Sequence, residues 1–144
     1  MLVSYPALFY FLENEPVNYY IYFPDIKSTG TQGTDIPDAM SMASDWLGIM
    51  LADDITNERP VANPSNINDL SLKTDAPQQT LNFDPTRSFI SMVNVDLTNY
   101  LTANHPIKKT LTIPQWAEKI GQKLNINFSQ TLTDAILAKN IKTK

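Results

Sequence analysis

Hydrophobic and polar positions change period several times along the chain, and each period predicts an element. From Tyr5 to Leu12 aromatic and aliphatic side chains are nearly continuous, and Tyr19–Phe23 repeats this after a polar break at Glu13, Asn14, Glu15 and Pro16. Two such runs separated by turn residues predict a β-hairpin. Both faces of these strands are apolar or aromatic, so at least one is expected to be central or to have its second face covered. The short polar stretch Ser28 to Gly33, with two of the four glycines, predicts a brief edge strand running into a turn. A helix follows: Asp35 is a good N-cap, Asp38 lies three residues on in capping-box fashion, and Pro37 is tolerated in a first turn. Ile36, Ala39, Met40, Ala43, Leu47, Met50 and Leu51 have helical spacing and predict a core-facing stripe, with the methionines as packing residues.

Residues 57–87 are rich in Asn, Pro, Asp, Ser and Thr, with Pro60, Pro64, Pro77 and Pro85 interrupting any regular element. They predict a long surface excursion, either functional or partly disordered. Phe89 to Leu97 predicts another strand, leading into a short helical turn around Leu97 to Ala103, and Asn104, His105 and Pro106 read as a linker. Beyond it, Lys108 to Ile113 alternates as a strand, with Lys108, Thr110 and Thr112 on one face and Lys109, Leu111 and Ile113 on the other. Pro114 suits a first helical position, and Ile113, Trp116, Ala117, Ile120 and Leu124 form an apolar stripe. Asn125 is expected to end that helix. Asn127 is expected to start another, with Gln130 answering back to the cap and Phe128, Leu132, Ala135, Ile136 and the stem of Lys139 as its inner face. A lone strand with two helices in under forty residues cannot bury an adequate core, so a second chain is expected to supply the missing strand of an antiparallel ribbon over four helices.

Composition narrows the chemistry. With 144 residues, 42% hydrophobic and 18% charged, the chain suits one ordinary domain, or one domain with a small accessory unit, and a wholly disordered chain is not expected. Zero cysteines exclude disulfides, thiolate metal sites and cysteine nucleophiles, and the single histidine leaves no His-rich metal site. No apolar run approaches bilayer length and the first residues lack a secretory signal, so a cytoplasmic protein that does not enter membranes is expected. The net charge of −4 conceals a split: residues 1–106 carry four basic and thirteen acidic side chains, a balance of −9, whereas 107–144 carry seven lysines against Glu118 and Asp134, a balance of +5. One part should repel nucleic acid and the other attract it.

The strand–helix–helix tail resembles a ribbon-helix-helix domain. By position, Lys108, Thr110 and Thr112 then correspond to the ribbon residues that read base edges, and Asn127, Phe128 and Ser129 to a phosphate clamp at a helix N-terminus. Lys119, Lys123 and Lys139 are further phosphate contacts expected to make affinity salt-dependent. The whole chain resembles the HicB family of antitoxins. The resemblance rests on Tyr5-Pro6-Ala7, Phe23-Pro24-Asp25, Thr31-Gln32-Gly33-Thr34-Asp35 leading into a helix with Ala39 and Ala43, Arg59-Pro60 to Pro64-Ser65, and Ile126 to Leu132. It departs where Lys27, Ser28 and Thr29 replace the usual Pro-Gly-Cys, and where Asp69 to Arg87 exceeds the usual linker. Membership implies an α+β chain: a partial ribonuclease-H-like N-terminal domain over 1–104 (βββαβ with a short helix), then a ribbon-helix-helix domain over 105–144. It also implies a HicA-type toxin partner, a basic mRNA-cleaving ribonuclease, together with operator DNA and homodimerisation through the ribbon, with higher oligomers open. Tyr20, Tyr22, Asp25 and Gln32 are the expected toxin contacts.

No enzyme, cofactor or metal site is expected. A two-metal nuclease needs clustered carboxylates, and although Asp25, Asp35 and Asp96 fall near element ends, positions 7 to 12 of the first strand hold no acid. His105 beside Pro106 suits an exposed linker residue more than a base. The alternative reading is a ribbon-helix-helix regulator whose N-terminal part senses a ligand or mediates assembly without any toxin.

Overall fold

A computed structural model describes residues 1–27, 30–101 and 106–141. Strands β1 (Leu2–Phe11), β2 (Tyr19–Tyr22) and β3 (Thr31–Gly33) precede helix α1 (Ile36–Thr56), a 3₁₀ turn (Ile67–Asp69), strand β4 (Phe89–Asp96) and the short helix α2 (Thr98–Leu101). Helices α3 (Gln115–Lys123) and α4 (Phe128–Asn140) complete the order. The fold is α+β, with one four-stranded antiparallel sheet in the order β3-β2-β1-β4. The start of the expected edge strand at Ser28, the end of the helical turn at Ala103, the linker residues Asn104 and His105, and the boundary between 104 and 105 lie outside the described residues.

β1 is central, pairing with β2 through Leu8–Tyr22 and Tyr10–Tyr20 and with β4 along its whole length from Leu2–Asp96 to Phe9–Phe89. Alternation explains its continuous apolar run. Val3, Tyr5, Ala7 and Phe9 share one core with Ala39, Ala43, Leu47 and Leu51 of α1, sealed by Trp46 stacked on Phe23 at 5.2 Å. Leu8 and Tyr10, on the opposite face, are fully buried too. Their cover is the excursion after α1, folded as a strap: the Tyr10 hydroxyl donates to the Leu72 carbonyl at 2.8 Å, and Phe83 packs its ring edge against Tyr10 at 4.9 Å. The Asp84 amide donates to the Phe11 carbonyl, and the Ser88 hydroxyl accepts from the Phe11 amide. Of the two expectations for the excursion, partial disorder gives way to a packed structural role.

α1 begins as expected, with the Asp35 carboxylate accepting from the Asp38 amide. The reciprocal bond is displaced by one residue, because the Asp38 carboxylate accepts from the amide and hydroxyl of Thr34. Ile36, placed in the inner stripe by spacing, is exposed as the first residue of the helix. The helix ends at Asn57, beyond which Glu58 takes a left-handed turn (φ 54°) that lets Arg59 grip Asp53 and Asp54.

In the C-terminal unit both helix boundaries follow their caps, with Pro114 as the N-cap of α3 instead of its first helical residue. Asn125 is left-handed (φ 51°), the Ile126 amide donates to Gly121 and the Asn125 amide to Gln122, which is a Schellman closure. Phe128 lies over Gly121, so a Cβ there would collide with its ring. The Asn127 side chain accepts from the Gln130 amide, while the Gln130 side chain turns to Asp134 and does not answer back to the cap.

Two expectations need correction. Residues 108–113 form no strand within one chain; they are irregular and exposed throughout, because no described strand offers them a ladder. The expected inner face of α4, with Phe128, Leu132, Ala135 and Ile136, is also exposed. The buried residues are Leu137 and Ile141 on another side, where Ile141 joins the sheet core and Leu137 borders a cleft with Thr98 and Leu101. One helix stripe can dock on the sheet unit while another still lacks a partner.

Candidate functional site

The first surface lies at the β2–β3 edge. Tyr20 and Gln32 are direct cross-strand partners and line one shallow depression with Leu12, Glu15 and Pro16. Tyr22 sits on the same side of β2, half-buried. Asp25 does not join them. Its carboxylate accepts from the Ser65 amide at 2.8 Å and the Ser65 hydroxyl at 2.5 Å, tying the end of the hairpin to the strap. Removing it leaves two donors without their ionised acceptor, and such bonds contribute about 1.5–3 kcal/mol each. Because both bonds are only part-buried and water can replace some of the loss, Asp25→Ala is expected to destabilise the chain by about 2–4 kcal/mol, read as a lowered midpoint in chemical denaturation; an unchanged midpoint would show that the strap is held elsewhere.

Buried tyrosines reinforce the same joint. The Tyr5 hydroxyl donates to the Ala62 carbonyl at 2.6 Å, and burial, with the charges of Asp25 and Asp54 behind it, pushes its pKa up to about 12. Burial raises Tyr10 as well. Both stay neutral donors at ordinary pH. The carboxylates weighed for nuclease chemistry are spread over separate local duties: Asp25 holds Ser65, Asp35 caps α1, and Asp96 accepts from the Thr98 amide. Among the described residues no group of three or more His, Cys, Asp or Glu is placed to hold a metal ion.

The second surface is the C-terminal unit. Lys108, Thr110 and Thr112 are exposed and alternate with Lys109, Leu111 and Ile113, so an extended ribbon would put the first three on one side. Asn127, Phe128 and Ser129 sit at the start of α4, where the first-turn amides have no intrahelical acceptor. Asn127 is committed to its cap and Phe128 to packing over Gly121, leaving Ser129 and the main chain as the free polar groups of the turn. Around them lies bare apolar surface: Ile107 is 83% exposed, Trp116 67%, Leu124 62% and Ile136 60%.

Sequence reasoning missed a third surface, the outward face of α1, where Asp38, Met42, Asp45, Ile49 and Asp53 share one arc. Its signal was present: no lysine or arginine occurs between Lys27 and Arg59.

No curated protein matches the chain. Among solved structures, a chain of a toxin–antitoxin complex from Streptococcus pneumoniae is 48% identical, the match covering 96% of this chain and 99% of that one with a TM-score of 0.69. The crystal structure of the antitoxin HicB of Burkholderia pseudomallei is 19% identical, covering 95% of this chain and 98% of that one with a TM-score of 0.62, a likeness of fold alone. The family model of the HicB_like antitoxin of bacterial toxin-antitoxin systems matches residues 4–78, from β1 through the first part of the strap. With most of β1, the Phe23-Pro24-Asp25 corner and α1 inside that match, the chain belongs to the HicB-like antitoxin family.

Proposed function

We propose that this antitoxin neutralises a HicA-type toxin, a small basic mRNA-cleaving protein, through its sheet unit, and represses the operon encoding both through its C-terminal unit. The unit over 1–104 would act by binding and not by catalysis, and no cofactor enters. The toxin–antitoxin complex at 48% identity supports this reading over a ligand-sensing regulator. Tyr20, Tyr22 and Gln32 are contacts on the sheet side, with Asp25 holding the hairpin end in place behind them.

The observation that carries the DNA arm is the bare apolar face of residues 107–136 beside a free, alternating, basic segment. A second copy satisfies both needs at once. Its residues 108–113 complete an antiparallel ribbon, and its α3 and α4 cover Trp116, Ile120, Leu132 and Ile136. Lys108, Thr110 and Thr112 of each copy then enter the major groove, with Asn127 to Ser129 against the flanking phosphates.

The test is a titration of the DNA upstream of the gene with the full chain at two salt concentrations. Tight, salt-sensitive binding is expected. Thr112→Ala should reduce discrimination against altered operators by about 1–3 kcal/mol, whereas Lys119→Ala should weaken all sequences alike and lower the salt slope by about 1. Unchanged discrimination by Thr112→Ala would remove that residue from the reading set, and absence of specific binding by the parent chain would remove the repressor arm.

A further inference from the structure

Helix α4 has two contact sides. Phe128, Leu132, Ala135 and Ile136 form its exposed apolar stripe, and at 3.6 residues per turn Gln130, Leu137 and the C-cap Ile141 fall on roughly the opposite side. That second side meets the sheet unit. Leu137 is 7% exposed and lines a cleft with Gln130 and Thr133 against Thr98 and Leu101, while Ile141 is 5% exposed in one core with Val3, Val95 and Leu97. Among the described residues of 106–141 only Gly121, Leu137 and Ile141 are buried, and Gly121 lies under Phe128 of the same unit. The two units therefore meet through one apolar dock, built on the back of a helix whose front is left for a second chain.

Charge makes such a dock unexpected. Residues 1–106 stand at −9 and 107–144 at +5, and the chain between Leu101 and Ile107 reaches at most about 20 Å. Two tethered bodies of opposite sign meet at high effective concentration and should pair through their charges. Among the described residues, however, Lys108, Lys109, Lys119, Lys123 and Lys139 make no ion pair with the sheet unit. An acidic body free to reach those lysines would compete with DNA phosphates for them, because both neutralise the same cations. Leu137 and Ile141 lie about 12 and 18 Å along the helix from Ser129, beyond the Debye length of about 8 Å at physiological salt.

We propose that the α4 dock is a spacer, holding the acidic sheet unit behind the helix so that it does not neutralise the basic segment of its own chain and the lysines stay free for DNA. This rests on the DNA-binding reading above and deepens it, giving a regulatory duty to Leu137 and Ile141, which stand outside the reading set. Opening the dock turns the sheet unit into an internal competitor. Apolar side chains suit the task, since a joint held by surface charge would weaken with the same salt that weakens DNA binding.

The experiment reads the dock and the DNA separately, both in the full chain. Because the chain has no cysteine, Asn140→Cys carries a nitroxide at one exposed position beside Ile141. With labelled chains diluted into unlabelled ones, so that only contacts within a chain are read, the amide resonances of Val3 and Leu97 should broaden. Adding Leu137→Gln should restore them. Leu137→Gln without the label should sediment like the parent, bind the DNA upstream of the gene about 10-fold more weakly at low salt, and differ less than about 2-fold at high salt. Unbroadened Val3 and Leu97 in the parent background would overturn the dock. A restored spectrum with operator affinity unchanged, or weakened equally at both salts, would overturn the spacer. A parent that binds no DNA would overturn the reading beneath, while the nitroxide still reports the dock.

Discussion

If the C-terminal units pair as proposed, Leu132→Asp is expected to leave the chain a monomer and abolish operator binding while the sheet unit stays folded. Ten large apolar side chains from Ile107 to Ile136 are exposed in a single chain, and Leu132 is near the middle of α4 among them. Covering such side chains is worth up to about 1.5–3 kcal/mol each when burial is complete. A seam made of them would be the main source of association energy for the C-terminal unit, which has too little core of its own. A carboxylate placed in that seam must be desolvated without a partner or keep the chains apart. A cost of at least about 3 kcal/mol, more than 100-fold in the dimer constant, follows. Sedimentation of the variant at micromolar concentration reads this directly, with loss of operator binding alongside, because a ribbon needs two chains. The sheet unit should be spared, since the C-terminal helix meets it through Leu137 and Ile141, which lie on a different side from the exposed stripe. A variant that still sediments as a dimer would place the seam elsewhere.

Leu47→Ala is expected to have the largest effect on the sheet unit itself. Leu47 is fully buried at the middle of α1, in one core with Phe9, Ile21, Phe23 and Val93. The sheet beneath is held by hydrogen-bonded pairs on both sides of β1 and cannot collapse into the space left behind. Truncation of this kind costs about 3–5 kcal/mol when the cavity persists, a large share of the roughly 5–15 kcal/mol that holds an ordinary domain together. Chemical denaturation should show a lowered midpoint with an unchanged slope. Toxin binding should fall only as far as the unfolded fraction requires, since Leu47 is fully buried. Loss of toxin binding in a fully folded variant would instead make Leu47 part of the binding surface.

The two predictions divide the chain along the same line as its charge. The acidic part folds around its own core, whereas the basic part leaves an apolar stripe exposed. The family match covers residues 4–78 and so speaks for the first of these, while the solved toxin–antitoxin chain extends the likeness over nearly the whole length.

How much was legible beforehand varies by element. The hairpin, α1 with its Asp35 cap, the strand after Phe89 and the two C-terminal helices all follow from period and caps. The Asn125 and Asn127 pair even located the turn between α3 and α4. The functional residues were less legible. Asp25 stood in a recognisable motif, but its bond to Ser65 spans forty positions, so its structural duty was hidden. The outward stripe of α1 was hidden differently: helical spacing marks the apolar side, whereas the acids opposite have meaning only once that side is covered.

Local signals therefore determined the elements, because a cap, a Schellman turn or an alternating strand is decided by side chains within a few positions of one another. The split of charge was likewise a property of the sequence alone, since it needs only counting. Tertiary structure decided what covers what. Leu8 and Tyr10 are buried because residues 72 and 83 return across the second face of the sheet, and Leu137 and Ile141 are buried while Leu132 is bare because α4 can lay only one side on the sheet unit. Those outcomes depend on contacts between segments far apart in the sequence, where an apolar residue is equally suited to several partners and only the packing of the whole chain selects among them.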